Sequence, residues 1–263
     1  MRLFFEIARR SFQRALTYRA ATLAGMVTNL FFGVIRASVL IALYGEADSV
    51  NGLSLQGAVT YAALSQAIIA YLNIFGWFGL MMNVHSGDVA QDLLKPMSFY
   101  RFWLAQDFGR AWANLLLRSL SIMLIYSLFW SLAYPQSLEQ WFYMLISLLL
   151  SWWLNFSWQF LVNLTAFWVP NARGIGRFAF FLSMALSGLY MPIRLFPEWL
   201  QKICYFSPFP HILNSPLEIY LGVVQGQESL VLIAMQAIWI VLLIILIHVI
   251  LRLGLRRLVI LGG

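Results

Sequence analysis

Charge is what this sequence has least of. Of its 263 residues, 10% are charged and 62% hydrophobic, whereas a soluble domain needs roughly 25% charged residues to cover its surface. The deficit excludes a water-wetted exterior over most of the chain and makes lipid the surrounding solvent. Cysteine is nearly missing too. Cys204 stands alone, which excludes an intrachain disulfide and a zinc site built from several thiolates. Lysine occurs twice, as Lys95 before Pro96 and Lys202 before Ile203. A P-loop requires Gly-x-x-x-x-Gly-Lys-Ser/Thr, because its lysine and backbone amides cradle phosphates. Neither lysine fits, so the chain is not expected to be an enzyme that hydrolyses ATP by that route. No internal repeat and no low-complexity segment stands out, which counts against a transporter built from inverted repeats.

What is present is a series of apolar windows near the 20 residues that cross roughly 30 Å of hydrocarbon. They cover about 21–43, 57–81, 111–134, 140–168, 176–191 and 230–251. The expected fold is an all-α membrane protein of about six transmembrane helices, forming one transmembrane domain over 1–263. The length leaves no room for a second soluble domain. The fourth window exceeds a minimal span and is expected to tilt or project. Val169-Pro170-Asn171-Ala172-Arg173-Gly174 breaks the chain after it. The fifth window is short. Beyond it, Phe196 to Gly222 reads as an amphipathic, proline-punctuated stretch of short helices dipping into the outer leaflet.

The basic residues set the orientation. Arg2, Arg9, Arg10, Arg14 and Arg19 precede the first window; Lys95, Arg101 and Arg110 follow the second; Arg173 and Arg177 follow the fourth; Arg252, Arg256 and Arg257 close the chain. Placing these inside leaves only Arg194 and Lys202 outside, as the positive-inside rule requires. Both termini are therefore expected in the cytoplasm. The net charge of +7 is accounted for by anionic headgroups beside the spans, and nucleic acid is not an expected partner. Met1–Arg19 lacks the apolar core and small-residue cleavage site of a signal peptide. It reads instead as an amphipathic helix at the cytoplasmic membrane surface.

Few residues inside the windows carry chemistry. Arg36 sits well within the first, where it either faces a cavity or partner or snorkels outward towards Tyr44. Arg118 reads as snorkelling inward beside Arg110. Asn155, Gln159 and Asn163 recur every four residues and share one helix face. Amides cannot face lipid unpaired, so this face is either interhelical glue or a polar strip along a translocation route. Asp88 and Asp92, also four apart and near His85, suggest an acid/base pair or a metal site, but no third ligand or pocket partner is near. Gly87 through Lys95 reads better as a short cytoplasmic helix ended by Pro96, with Val89, Leu93 and Leu94 as an apolar stripe and the acids on another face. A rigid short helix between two spans suits docking onto a partner. His211 and His248 lack metal-ligand neighbours and read as structural.

The order of these parts resembles ABC-2 type permeases, the membrane subunits of bacterial ABC exporters, over nearly the whole chain. Three features carry the resemblance. One is the basic amphipathic start. Another is Gly87-Asp88-Val89-Ala90-Gln91-Asp92-Leu93-Leu94-Lys95-Pro96-Met97-Ser98, which is similar to the family's coupling region. The third runs from Ser187-Gly188-Leu189-Tyr190-Met191-Pro192 and Phe196-Pro197-Glu198-Trp199-Leu200 to Ser207-Pro208-Phe209-Pro210 and Pro216 with Leu221-Gly222. It resembles the family's re-entrant outer helices, with Gly188, Pro192, Pro197 and Pro208 as candidate gate residues. Within the class, the chain looks most like small permeases that include proposed viologen or drug exporters. The resemblance implies a bacterial inner membrane, a dimer with a second permease, identical or homologous, and separate ABC ATPase subunits. ATP and magnesium would bind those subunits, with no cofactor on this chain. Gly87, Asp88, Val89, Asp92, Leu93, Leu94 and Lys95 would couple to the ATPase. Arg36, Asn155, Gln159 and Asn163 would border the path. Competing readings are an ion-coupled secondary transporter, which needs ionisable groups near the midplane, and a non-transporting scaffold subunit.

Overall fold

The computed structural model describes residues 1–72, 74, 76–169 and 171–257, without the Arg19 side chain. The described residues are helical apart from their connections and one two-stranded hairpin. Five helices are long and apolar enough to cross a membrane.

The chain begins with α1 (Arg2–Thr17), which packs along α6 (Phe99–Asn114). Gly109 permits this contact: a Cβ there would stand 1.9 Å from the carbonyl oxygen of Ala8. The Ser11 hydroxyl donates to the Gln106 carbonyl at 2.6 Å. Arg2, Arg9, Arg10 and Arg14 face outward. The helix is amphipathic as expected, but its apolar side meets protein as well as any membrane surface.

α2 (Arg19–Tyr44) follows and ends at Gly45. A hairpin then joins it to α3, with β1 (Ser49–Val50) antiparallel to β2 (Leu53–Ser54). Asn51 and Gly52 both take positive φ, 49° and 77°, as a two-residue hairpin turn requires. The Asn51 side chain donates to the Arg194 carbonyl at 2.8 Å, pinning the hairpin to a segment much later in the chain.

α3 (Leu55–Leu72) is the central pillar. Every residue from Gly57 to Leu72 is buried, Thr60, Ser65 and Gln66 included. It is also the least apolar of the five long helices, whereas the most apolar, α12 (Gln227–Leu255), is mostly exposed. Helices that face lipid must be apolar on the outside, while a helix enclosed by protein can carry polar side chains, as at Thr60, whose hydroxyl accepts from the Ala133 N–H at 2.8 Å.

The window read as one span over 57–81 is broken. α3 stops at Leu72, and α4 (Gly79–Ser86) starts after a non-helical stretch containing Gly76 at φ +90°. Gly87 caps α4 in the left-handed conformation, and α5 (Val89–Leu93) turns the chain into α6.

α6 continues through a π-turn (Leu115–Ser119) into α7 (Leu120–Phe129), making one helix of 31 residues. The expected span began at 111, so the helix starts earlier and ends sooner than read. At 1.5 Å per residue it measures about 46 Å, some 16 Å more than the ~30 Å hydrocarbon core. Arg101, Gln106, Asp107 and Arg110 all precede its π-turn, so the surplus belongs to that end, where α1 packs.

α8 (Leu138–Asn163) is capped by the Ser137 hydroxyl, which accepts from the Gln140 N–H at 3.1 Å. It continues through a 3-10 turn to Phe167. Pro170 lies outside the described residues. α9 (Arg173–Leu186) has 14 residues, about 21 Å, so the window 176–191 is helical only in part. A 3-10 turn (Ile193–Leu195), α10 (Glu198–Tyr205) and α11 (Pro210–Tyr220) lead to α12. α10 has the amphipathic character expected of this stretch. α11 does not: all of its residues are buried, because its polar groups are hydrogen-bonded inside the bundle.

Contacts fix the two ends. Phe167, at the close of α8, packs on Gly254, at the close of α12. At the other end, the Gln140 amide donates to the Ile219 and Tyr220 carbonyls at 3.1 and 2.7 Å. Replacing Gly109 by valine is expected to push α1 off α6 at a cost of about 1–3 kcal/mol, the usual range for overpacking. Limited trypsin digestion in detergent checks this, with faster cleavage after Arg9, Arg10 and Arg14.

Candidate functional site

The break between α3 and α4 removes several backbone groups from any helical ladder. Each is costly to leave unpaired where water is excluded. The amide strip on α8 answers them. Asn155 donates to the Leu72 carbonyl at 2.8 Å, and the Gln159 side-chain oxygen accepts from the Trp77 N–H at 2.8 Å. The Asn163 oxygen accepts from the Met81 N–H at 3.1 Å, while its amide donates to the Trp77 carbonyl at 2.6 Å. Met81 lies in the first turn of α4, where helical N–H groups lack intrahelical partners. Four-residue spacing on one helix thus matches a non-helical stretch on another. The adjoining cavity is about 20 Å3, room for little more than one water. In this conformation the three amides serve the backbone rather than lining an open route.

The segment Gly87–Lys95 is a rigid elbow, but its faces differ from the expectation. Val89 is 1% exposed, and Leu93 packs beside it against the cluster of Leu80, Phe99 and Phe160. Asp92 also points inward. It accepts from the Asn83 amide at 3.1 Å and pairs with Lys95, whose ammonium lies 3.6 Å from the Phe102 ring centroid. Asp88 is exposed and accepts from the Ser86 hydroxyl at 2.6 Å. Leu94, read as part of the apolar stripe, is 86% exposed. The acids therefore do not share a face. Asp92 locks the elbow, and Asp88, Gln91 and Leu94 form its outward surface. Among the described residues, no three His, Cys, Asp or Glu side chains group as metal ligands.

The opposite end holds a polar hub. Glu218 on α11, 4% exposed, accepts from Arg194 Nε and the Tyr205 hydroxyl, both at 2.9 Å. Asn214 donates to the Tyr205 oxygen at 3.3 Å, and its own oxygen accepts from the Tyr61 hydroxyl of α3 at 2.9 Å. Tyr61 also reaches the Gly188 carbonyl at 2.8 Å. Gly188 has φ +81°, and a Cβ there would lie 2.5 Å from the Tyr61 oxygen, so glycine is required twice over. Pro192 and Pro197 sit immediately before the 3-10 turn and α10, and Pro208 lies in the turn before α11. These prolines start short helices where a fixed φ is useful. His211 is bonded through both ring nitrogens, to the Ser215 hydroxyl at 3.0 Å and the Tyr205 carbonyl at 3.3 Å.

Arg36 is half-buried on α2. Its guanidinium carbon lies 5.8 Å from the Tyr190 ring centroid, and its Nη1 has no hydrogen-bond partner among the described residues. Arg118 reaches across to α2 and lies against Gly25, where a Cβ would stand 2.4 Å from its Nη2. Gly25 is near the start of α2, so the side chain extends towards that helix's basic end.

A family profile described as "ABC-2 family transporter protein" matches residues 27–262. The chain belongs to the ABC-2 transporter family. It is thus a multi-pass membrane permease of the ABC class. No individually curated protein matches its sequence. The matched region takes in the elbow, the amide strip and the polar hub of this permease and leaves α1 outside.

The reading from sequence did not find the hub. Its one available signal was Glu218, an acid in a stretch otherwise rich in apolar residues. The Asn51-Gly52 dipeptide similarly marks a hairpin in the connection between the first two apolar windows. Replacing Asn163 by leucine strands the Met81 N–H and the Trp77 carbonyl together. The expected cost is on the order of 2–4 kcal/mol, from the penalty for buried groups left without partners. A lower unfolding temperature in detergent, with faster hydrogen exchange at Met81, checks it.

Proposed function

We propose that this chain is the membrane subunit of an ATP-driven exporter, working with separate ATPase subunits and a second permease. The observation that carries the reading is the elbow. It is an exposed apolar knob, Leu94, on a short helix whose inner face is locked by Val89, Asp92 and Lys95. Its location within a matched ABC-2 sequence supports reading it as the docking point for the ATPase. ATP and magnesium bind that partner, and this chain hydrolyses nothing.

The chain crosses the bilayer six times with both ends inside. The five long helices supply five crossings. The contacts of Phe167 with Gly254 and of Gln140 with Tyr220 put the close of α8 and the close of α11 at opposite ends of the bundle. This supports a further crossing between them, by α9 and the residues that follow it. The basic residues at both termini agree with an even number of crossings. α10 and α11 form the outer re-entrant pair.

In the cycle, ATP binding draws the ATPases together and moves both elbows. Asn163 joins α4 to α8, so that motion enters the bundle as a rigid displacement rather than a local bend. A path bordered by α2, with Arg36 on its wall, opens between the two permeases. The segment from Gly188 to Pro208 closes it on the outer side until the hub shifts. Ion coupling is less well supported, because the least exposed acids, Asp92, Asp107 and Glu218, each pair with a neighbouring cation.

A pull-down of the tagged chain in mild detergent, with mass spectrometry of its companions, tests the reading. A P-loop ATPase is expected. Leu94→Asp should lower its recovery about tenfold or more, as loss of an interface anchor worth about 2 kcal/mol would. Asp88→Lys should weaken it without altering the permease's own elution. Asp92→Asn should instead loosen the elbow itself. Recovery of the chain alone, stable and without an ATPase, would overturn the exporter assignment.

A further inference from the structure

α7 and α8 are consecutive in the chain, yet a cavity of about 460 Å3 separates them. This lies within the ~300–1,000 Å3 typical of sites that bury a small organic ligand. Leu64 and Ile68 of α3 and Leu217 of α11 form its floor; Met123 faces Met144 and Leu148 across it. Its two serine hydroxyls are spent on backbone carbonyls. Ser119 donates to the Ala67 carbonyl and Ser127 to the Leu124 carbonyl, both at 2.7 Å. Apolar cavities of this kind stay dry, so hydrocarbon is the medium that fills it.

The shape narrows the occupant further. Along the α6–α7 helix the lining runs from Leu115 to Ser127, about 18 Å of rise, close to one leaflet of a ~30 Å core. Leu120 and Leu124 lie on the lip, 51% and 67% exposed, so the cavity is continuous with the face that meets lipid. One end is aromatic: Trp141 and Tyr220 stand edge to face at 5.8 Å, and Tyr134 lines the same end. Such rings mark the level of headgroups. The π-turn Leu115–Ser119 lies at the other end, a distortion that recurs at functional sites.

We propose that this cleft binds one acyl chain of a bilayer phospholipid, with the headgroup beside Tyr134 and Trp141. The chain holds α7 and α8 apart as part of the fold. This inference needs only the membrane placement of the protein and stands or falls separately from the exporter reading.

The test uses the full chain in nanodiscs of phosphatidylcholine carrying a diazirine midway along one acyl chain. After illumination, labelling should concentrate on peptides containing Met123 and Met144–Leu148, above the exposed face of α12. Met123→Trp should lower that labelling about tenfold, the change that about 1.4 kcal/mol of lost affinity gives. Leu148→Trp, filling the cleft from the opposite wall, should do the same. Leu128→Trp, on the exposed surface beyond the cleft, should leave it unchanged. Even labelling over every exposed apolar face would overturn the proposal by showing annular lipid only. Absence of label from the cleft, with label on α12, would overturn it by showing that protein covers the cleft.

Discussion

The structure turns on backbone hydrogen bonds that a helix gives up and another helix must replace. At Gly76, Trp77 and Phe78 the second long segment has left its helical ladder. Asn155, Gln159 and Asn163 supply the missing partners from α8. Without them the break would leave orphaned N–H and C=O groups in an apolar surround, at a cost comparable to the stability of a whole small domain. With them, the chain can leave α3 at an angle, build α4 and α5 as an elbow, and return as α6. The elbow exists because the break is tolerated, and the break is tolerated because of three amides on a neighbouring helix.

This arrangement gives the two ends of the bundle different mechanical characters. At the elbow end, charge and apolar packing act together: Asp92 and Lys95 close the turn while Val89 and Leu93 seat it on α6 and α8. At the hub end, the links are a chain of hydrogen bonds from Glu218 through Tyr205 and Asn214 to Tyr61 and Gly188. Hydrogen-bonded networks have discrete alternative pairings, whereas a packed apolar seat moves as a body. A rigid input at one end and a re-pairable network at the other suit a protein that converts a push into an opening.

Much of this was legible in composition and pattern. The apolar windows, the basic ends and the four-residue spacing of the amides all rest on periodicity and transfer energy, which sequence records directly. Hydropathy cannot see the break in 57–81, because Ile74, Trp77 and Phe78 are as apolar as a span; only Gly76 hints at it. The early start of α6 was hidden for the opposite reason, since Arg101 and Asp107 look like loop but belong to a helix that outruns the bilayer. Asp92 and Leu94 exchanged their expected places because a five-residue helix between two bends does not hold a regular face. α11 looked amphipathic because His211, Asn214 and Glu218 are polar, but Asn214 meets Tyr61 and Glu218 meets Arg194, partners that no local window includes.

The central position of α3 has a consequence for how the protein is made. A helix enters the bilayer from the translocation machinery according to its own apolarity. α3, with Thr60, Ser65 and Gln66 turned to protein in the finished fold, has the weakest drive of the five long helices. Its residence in the membrane is therefore a collective property, granted by α2 before it and by α7, α8 and α11 after it. During synthesis it must wait beside α2, half-committed, until later segments arrive to enclose its polar side chains. The pillar of the finished bundle is thus the helix least able to stand in lipid by itself.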